Sequence, residues 1–207
     1  MLSLIIEHFD DISKWSIIEY THLSHHCKQN NINLIITKYS GTIPFADCKT
    51  QSITEIHSSF KFDILVLADL NGNQSLEEDV ELHNSELNIG IVIGGMLGED
   101  PPVDREGNLR LIPNIRCRTM TDLHLPTDVA GICAIKLLKD NWSISTLQQN
   151  LLFPIEFIVS KYEEHFLPFA YFKQSAFNYS LDTMEIINAT KSKIVFGKGL
   201  KMEIRNQ

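Results

Sequence analysis

The chain has 207 residues, 43% of them hydrophobic and 21% charged, with a formal net charge of −8. That is enough for one full-sized core, and these proportions are those of a globular protein rather than a disordered or fibrous one. No window approaches the ~20 apolar residues of a membrane span, and the first residues lack a basic stretch followed by an apolar one, so a cytoplasmic protein is expected.

Taken in order, Leu2–Ile6 reads as an apolar strand ending at Glu7-His8. Asp10, Asp11 and Ser13 offer capping oxygens for a helix that runs to about Gln29 and stops at Asn30-Asn31. Trp15, Ile18 and His22 make one stripe of that helix, widened by Ile17, Tyr20 and Leu23, as for a face packed on a core. Ile32–Thr37 is a second strand, and the dozen residues after it, with Gly41 and Pro44, read as loop. Ser52-x-x-Glu55 is a capping box before a short helix, and Asp63–Ala68 is a buried strand. Ser75-x-x-Glu78 is a second capping box, predicting an acidic helix.

Ile89–Ile93 is a β-branched run suited to a strand buried on both faces. It breaks into Gly94-Gly95-Met96-Leu97-Gly98 and then the stiff, acidic Glu99-Asp100-Pro101-Pro102-Val103-Asp104-Arg105. Missing side chains in such a turn allow backbone to approach a ligand closely. The pattern is not the dinucleotide fingerprint, and no phosphate-loop Gly-Lys-Ser/Thr occurs. Asn114–Arg118 is a plausible fifth strand. Leu123-His124-Leu125-Pro126-Thr127 then forms a second ligand loop, opening a helix to Lys139 with Val129, Ile132, Cys133, Lys136 and Leu137 on its buried stripe and Gly131 for close packing. Ile155–Val159 is a further strand.

Strands alternating with helices predict an α/β fold, a largely parallel sheet with helices on both faces, in a single domain over 1–207 in which 173–207 is an extension of unassigned character. The exits at Ala68-Asp69, Gly94–Gly98 and Leu125–Thr127 could then converge outside the carboxyl ends of the strands, where ligands of open parallel sheets bind.

Two further features bear on chemistry. Cys27, Cys48, Cys117 and Cys133 are scattered, as free thiols in a reducing compartment would be. His22, His25, His26 and Cys27 cluster on one helix, but no carboxylate or second thiol stands nearby at ligand spacing, so no metal is assigned. Residues 53–106 carry twelve acidic residues against Lys61 and Arg105. Such a stretch disfavours phosphate backbones and favours a basic protein partner, although an acidic surface kept for solubility accounts for it equally well.

Ile5-Ile6-Glu7-His8, Trp15, Glu19-Tyr20, Gly94–Arg105 and Pro126-Thr127-Asp128 resemble the SPOUT-class methyltransferases, specifically those similar to the yeast enzyme that methylates an arginine of a small-subunit ribosomal protein. The resemblance runs in order from residue 1 to about 172. It implies S-adenosylmethionine held in a C-terminal trefoil knot by Leu67, Ala68, Asp69, Gly94, Gly95, Met96, Leu97, Gly98, Leu123, Leu125, Pro126 and Thr127. It also implies a monomer and a basic ribosomal protein as substrate. Departures fall at Ala68-Asp69-Leu70, where the yeast pattern has Asp-Pro-Arg, and at Leu125-Pro126, where it has Met-Thr. A guanidinium, with a pKa above ~12, must be gripped and deprotonated by carboxylates, and Glu7, then Glu99 and Asp104, are the expected ones, with Arg105 orienting Asp104. The alternatives are a SPOUT-class RNA methyltransferase, for which Arg116, Arg118, Lys136 and Lys139 offer a modest basic surface, and a non-catalytic binding protein that keeps the fold.

Overall fold

In a computed structural model of the protein, residues 1–83, 86–95, 104–153, 155–160, 163–167 and 169–173 are described, without the side chains of residues 14, 15, 80, 155–160 and 163–167. Its frame is a six-stranded sheet in which every pairing is parallel: β1 (Leu2–His8), β2 (Asn33–Thr37), β3 (Ala46–Cys48), β4 (Ile64–Ala68), β5 (Ile89–Gly95) and β6 (Arg116–Arg118), in the order β3-β2-β1-β5-β4-β6. The parallel sheet expected from the alternation is therefore present.

Period-two alternation fixes what each strand buries. Leu4 and Ile6 of β1 join Leu34, Ile36, Val66, Ile91 and Ile93 in a core beneath α1 (Lys14–Gln29) and α3 (Thr127–Leu138). Ile5, Ile35, Leu67 and Val92 point the other way, onto Ile53 of the short α2 (Ile53–Ile56) and onto Leu109 and Ile112 around a 3-10 turn at Leu109–Leu111. Both faces are thus covered, which is why β5 is apolar throughout rather than alternating.

α1 begins where expected: the Ser13 hydroxyl accepts from Ser16 N, and Ser16 returns a bond to the Ser13 amide. It ends at Asn30, and Asn31 follows with φ 54°, the left-handed conformation that asparagine tolerates after a helix. Tyr20 and Leu23 of the expected stripe are buried, but Ile17 is 41% exposed. Gly131 lets α3 close on α1, since a Cβ there would stand 2.6 Å from the Leu23 side chain.

Two expectations are corrected. The stretch after Thr37 is not all loop, because Ala46–Cys48 adds an edge strand beside β2. Ser75 and Glu78 do exchange the capping-box bonds, yet only a turn and a 3-10 segment at Val80–His83 follow, not an acidic helix. The backbone there is engaged elsewhere: Leu76 N donates to Thr119 O and Thr119 N to Gln74 O, so the chain is drawn alongside the end of β6. The strand expected at Ile155–Val159 is present as Ile155–Ser160 (β8), and it pairs in an antiparallel hairpin with Glu163–Leu167 (β9). A short α4 (Ile144–Asn150) precedes β7 (Leu151–Leu152), which pairs with β10 (Tyr171–Phe172). Among the described residues no helix is long and apolar enough to cross a membrane.

Candidate functional site

In this strand order the chain leaves β1 toward β2 in one direction and leaves β5 toward β6 in the other. The carboxyl ends of β1 and β5 therefore flank the switch point at which open parallel sheets bind ligands. Glu7 pairs there with Gly94, and His8 with Gly95.

Glu7 is 2% exposed and both its oxygens are engaged. Oε2 accepts from Thr37 Oγ1 and from Ile53 N at 2.9 Å, and Oε1 accepts from Ser52 Oγ at 2.7 Å. The expected Ser52–Glu55 capping box is thus only half formed. Ser52 does cap the Thr54 amide, but Glu55 is exposed, and Glu7 supplies the negative charge at the start of α2. Glu7 consequently ties β1, β2 and α2 together.

On the opposite face His8 is also buried, with Nδ1 2.7 Å from the Tyr20 hydroxyl, which in turn donates to Gly95 O at 3.3 Å. His8 stands edge-on to Tyr20 and Tyr39, and burial lowers its pKa more than Asp10 and Glu7 restore it. A Cβ on Gly95 would lie 2.4 Å from the Tyr20 hydroxyl and 2.5 Å from Ile6 Cγ2. The missing side chain of Gly95 therefore serves close packing against α1, and its ligand-facing contribution is confined to backbone groups.

The ends of β4 and β5 carry a cluster of charge. Asp69 is buried and accepts from Arg110 twice, Nε at 2.6 Å and Nη2 at 3.0 Å, and from the Asn71 amide at 2.9 Å. These bonds, those from Arg110 foremost, hold its carboxyl below the usual carboxylate range against the cost of burial. Arg110 Nη1 also donates to Asp104 at 2.6 Å, so the guanidinium pKa is raised further and Asp104 is held low. This corrects the expected role of Arg105, which pairs with Asp10 instead. Arg116 and Arg118 similarly converge on the buried Asp79, with Arg116 reaching Glu81. The acids of residues 53–106 are thus partly neutralised by arginines that follow them in sequence. Glu55, Asp63, Glu77, Glu78, Glu81, Glu86 and Asp104 remain exposed.

One acid of the site carries no mark in the sequence. Glu106 has a side chain 17% exposed, and its carboxylate is 3.9 Å from Arg110 Nη2. Burial, then Asp69, pushes its pKa up to about 7, while Arg110 and the Gly94 amide pull it down. No spacing rule singles out this residue, because its neighbours come from β4, β5 and the Leu109 turn.

Of the expected cofactor residues, Leu67 and Asp69 are buried, Ala68 and Gly94 half-buried and Gly95 buried at adjacent strand ends. Leu123 and Leu125 are half-buried against the main core, and Pro126 and Thr127 are buried at the start of α3, which packs on β5. Met96, Leu97, Gly98 and Glu99 lie outside the described residues. Within the histidine cluster the His22 and His26 rings meet edge-on with centroids 4.9 Å apart, His22 Nδ1 is 2.7 Å from Asp128, and His25 instead meets Phe45; burial, then the neighbouring His22, pushes the His26 pKa down to about 3. Among the described residues no group of three potential ligands could hold a metal ion.

The sequence matches, over residues 3–194, the family described as protein arginine N-methyltransferase SFM1-like. No curated protein matches it. Among solved structures it is similar to the yeast arginine methyltransferase SFM1 complexed with SAM, at 24% identity and a TM-score of 0.68 over 91% of each chain. A structure described as a novel protein arginine methyltransferase is 26% identical, with a TM-score of 0.62 over 82% of this chain and 89% of that one. A dual specific Trm10 from Thermococcus kodakaraensis is 14% identical, with a TM-score of 0.54 over 72% of this chain and 99% of that one.

Proposed function

Because this chain belongs to the SFM1-like protein arginine N-methyltransferase family, we propose that it transfers a methyl group from S-adenosylmethionine to an arginine of a ribosomal protein. The observation that carries the reading is the family match over residues 3–194, coinciding with Gly94 and Gly95 at the switch point of a parallel sheet. The cofactor is supported by the SAM complex of the yeast enzyme, which shares this fold.

The residues at the strand ends suit such a cofactor. Ala68, Leu123 and Leu125 supply half-buried apolar surface for an adenine, and Leu67, Asp69, Gly94 and Gly95 supply backbone donors and acceptors beside it. Pro126 and Thr127 close the site from the start of α3. The cofactor supplies an electrophilic methyl group, and the protein has to hold the acceptor nitrogen in line with it, so positioning accounts for much of the rate. The family resemblance also implies a trefoil knot, and closeness of the β4 and β6 exits supports that reading. The stretch that ends β6 runs beside the loop that leaves β4, through Asp69 N to Arg118 O and Thr119 N to Gln74 O, before turning into α3.

Substrate choice follows from charge. Exposed acids around residues 55–86 and Asp104 favour an arginine-bearing basic protein over phosphate backbones. Asp104, exposed and already paired with Arg110, and Glu99 serve as acidic contacts for the incoming guanidinium, whereas Glu7 organises the site from behind through Thr37, Ser52 and Ile53. The protein works as a monomer, and a ribosomal substrate places it in the cytoplasm.

The test is incubation of purified ribosomes with radiolabelled S-adenosylmethionine and this protein, followed by separation of RNA from protein. Label in the protein fraction is expected. Label in RNA would instead favour the RNA methyltransferase reading.

A further inference from the structure

We propose that Glu106 is the proton acceptor of the reaction, the carboxylate that takes the proton shed by the arginine nitrogen as it becomes methylated; this rests on the arginine methyltransferase reading above. Three observations place it there. First, Glu106 lies at the carboxyl ends of β4 and β5, against the Gly94 amide and Asp69, beside the strand ends where the cofactor is expected. Second, the other described acids at these strand ends are committed. Glu7 accepts three hydrogen bonds, both Asp69 oxygens are held by Arg110, and Asp104 accepts from Arg110 and from the Glu106 amide. Glu106 reaches Arg110 only at 3.9 Å, and its other charge-stabilising neighbour is the Gly94 amide. Third, its side chain keeps 17% of its surface open, enough to meet a substrate and release a proton to water.

The step balances as follows. The arginine nitrogen forms a bond to the methyl carbon while that carbon's bond to sulfur breaks, so the sulfonium becomes a neutral thioether. The nitrogen then carries one proton too many, and Glu106 takes it, becoming a carboxylic acid that later returns the proton to water. Free guanidinium, with a pKa above ~12, does not need to be deprotonated beforehand, because the nitrogen turns acidic only as the new bond forms. A carboxylate poised near the working pH is suited to that task.

The groups facing Glu106 explain its poise. Asp69 from the end of β4 and Asp104 from its own loop disfavour its charged form, alongside burial. Arg110 and the Gly94 amide favour it, and Cys117 of β6 is near enough that Glu106 helps raise the thiol pKa. A substrate guanidinium would add to the favourable side and keep Glu106 ionised during turnover.

The experiment compares wild type, Glu106→Gln and Glu106→Asp. S-adenosylhomocysteine binding by calorimetry is expected to be unchanged in all three, which also reports a folded site. Methyl transfer to ribosomal protein is expected to fall ~100-fold in Glu106→Gln, the usual scale for a lost acid–base group. Wild-type kcat/KM, which reports the free enzyme, is expected to drop as pH falls through about 7, a limb kept by Glu106→Asp and lost in Glu106→Gln. Infrared difference spectra of wild type against Glu106→Gln are expected to show one carboxyl titrating over the same range, independently of turnover. A Glu106→Gln protein within threefold of the wild-type rate, or a carboxyl titrating only in the ordinary range, overturns the assignment. A wild type that binds the cofactor but labels no arginine overturns the functional reading, and this assignment with it.

Discussion

Gly95→Ala is the sharpest probe of how the end of β5 is packed. The new Cβ would meet the Tyr20 hydroxyl at 2.4 Å, Ile6 Cγ2 at 2.5 Å and Glu7 O at 3.1 Å. The first two contacts are well inside van der Waals distance, and neither Ile6, 0% exposed, nor Tyr20, 1% exposed, has space to retreat. Overpacking of this kind costs ~1–3 kcal/mol. Displacing Tyr20 also strains its bonds to His8 Nδ1 and Gly95 O, each worth ~1 kcal/mol. A loss of about 2–4 kcal/mol in equilibrium urea unfolding is expected. Tyr20→Phe removes the atom nearest the new methyl group, so in that background the cost of Gly95→Ala should shrink by at least ~1 kcal/mol, although Tyr20→Phe is itself destabilising through the lost His8 bond. Additivity of the two substitutions within ~0.5 kcal/mol would refute the proposed clash.

Other outcomes follow from the charge clusters and the helices. Asp69→Asn should cost ~2–3 kcal/mol in urea unfolding by removing the buried charge partner of Arg110, whereas Asp104→Asn, at an exposed carboxylate, should change stability by under ~1 kcal/mol. The folded-state pKa of His26 is depressed from 6.5 to about 3, so the unfolded chain binds the extra proton between those values. The stability that the neutral ring contributes is therefore complete above pH 6.5 and is lost as pH falls toward 3, and the difference between wild type and His26→Gln should slope by up to ~1.4 kcal/mol per pH unit there. Gly131→Ala should destabilise despite the better helix propensity of alanine, because its methyl group would meet Leu23 at 2.6 Å; a gain in urea midpoint would contradict this. Light scattering at micromolar concentration should give a monomer mass, and a dimer mass would refute that part of the proposal.

The frame was legible because its signals are local. The β-branched run at Ile89–Ile93, the Ser13 cap, the Asn30-Asn31 stop and the Pro126-Thr127 helix start each act through neighbours in sequence. What escaped was decided at a distance. Ser75 carries a sound helix-start pattern, but pairing of its segment with Thr119 takes the backbone elsewhere. The acidic stretch looked like an uncompensated surface because Arg110, Arg116 and Arg118 lie downstream of it and fold back. Glu7 stood out correctly as an acid at a strand exit, yet its three hydrogen-bond donors come from Thr37, Ser52 and Ile53, and they give it an organising role. Glu106 has no local mark at all, since its environment exists only once β4, β5 and the Leu109 turn have come together.

The most direct measurement of the central claim is amino-acid analysis of ribosomal protein labelled by this enzyme from radiolabelled S-adenosylmethionine. The account predicts that the label co-elutes with methylated arginine and is absent when the protein is omitted. Label recovered in methylated nucleosides, or in a residue other than arginine, would contradict it.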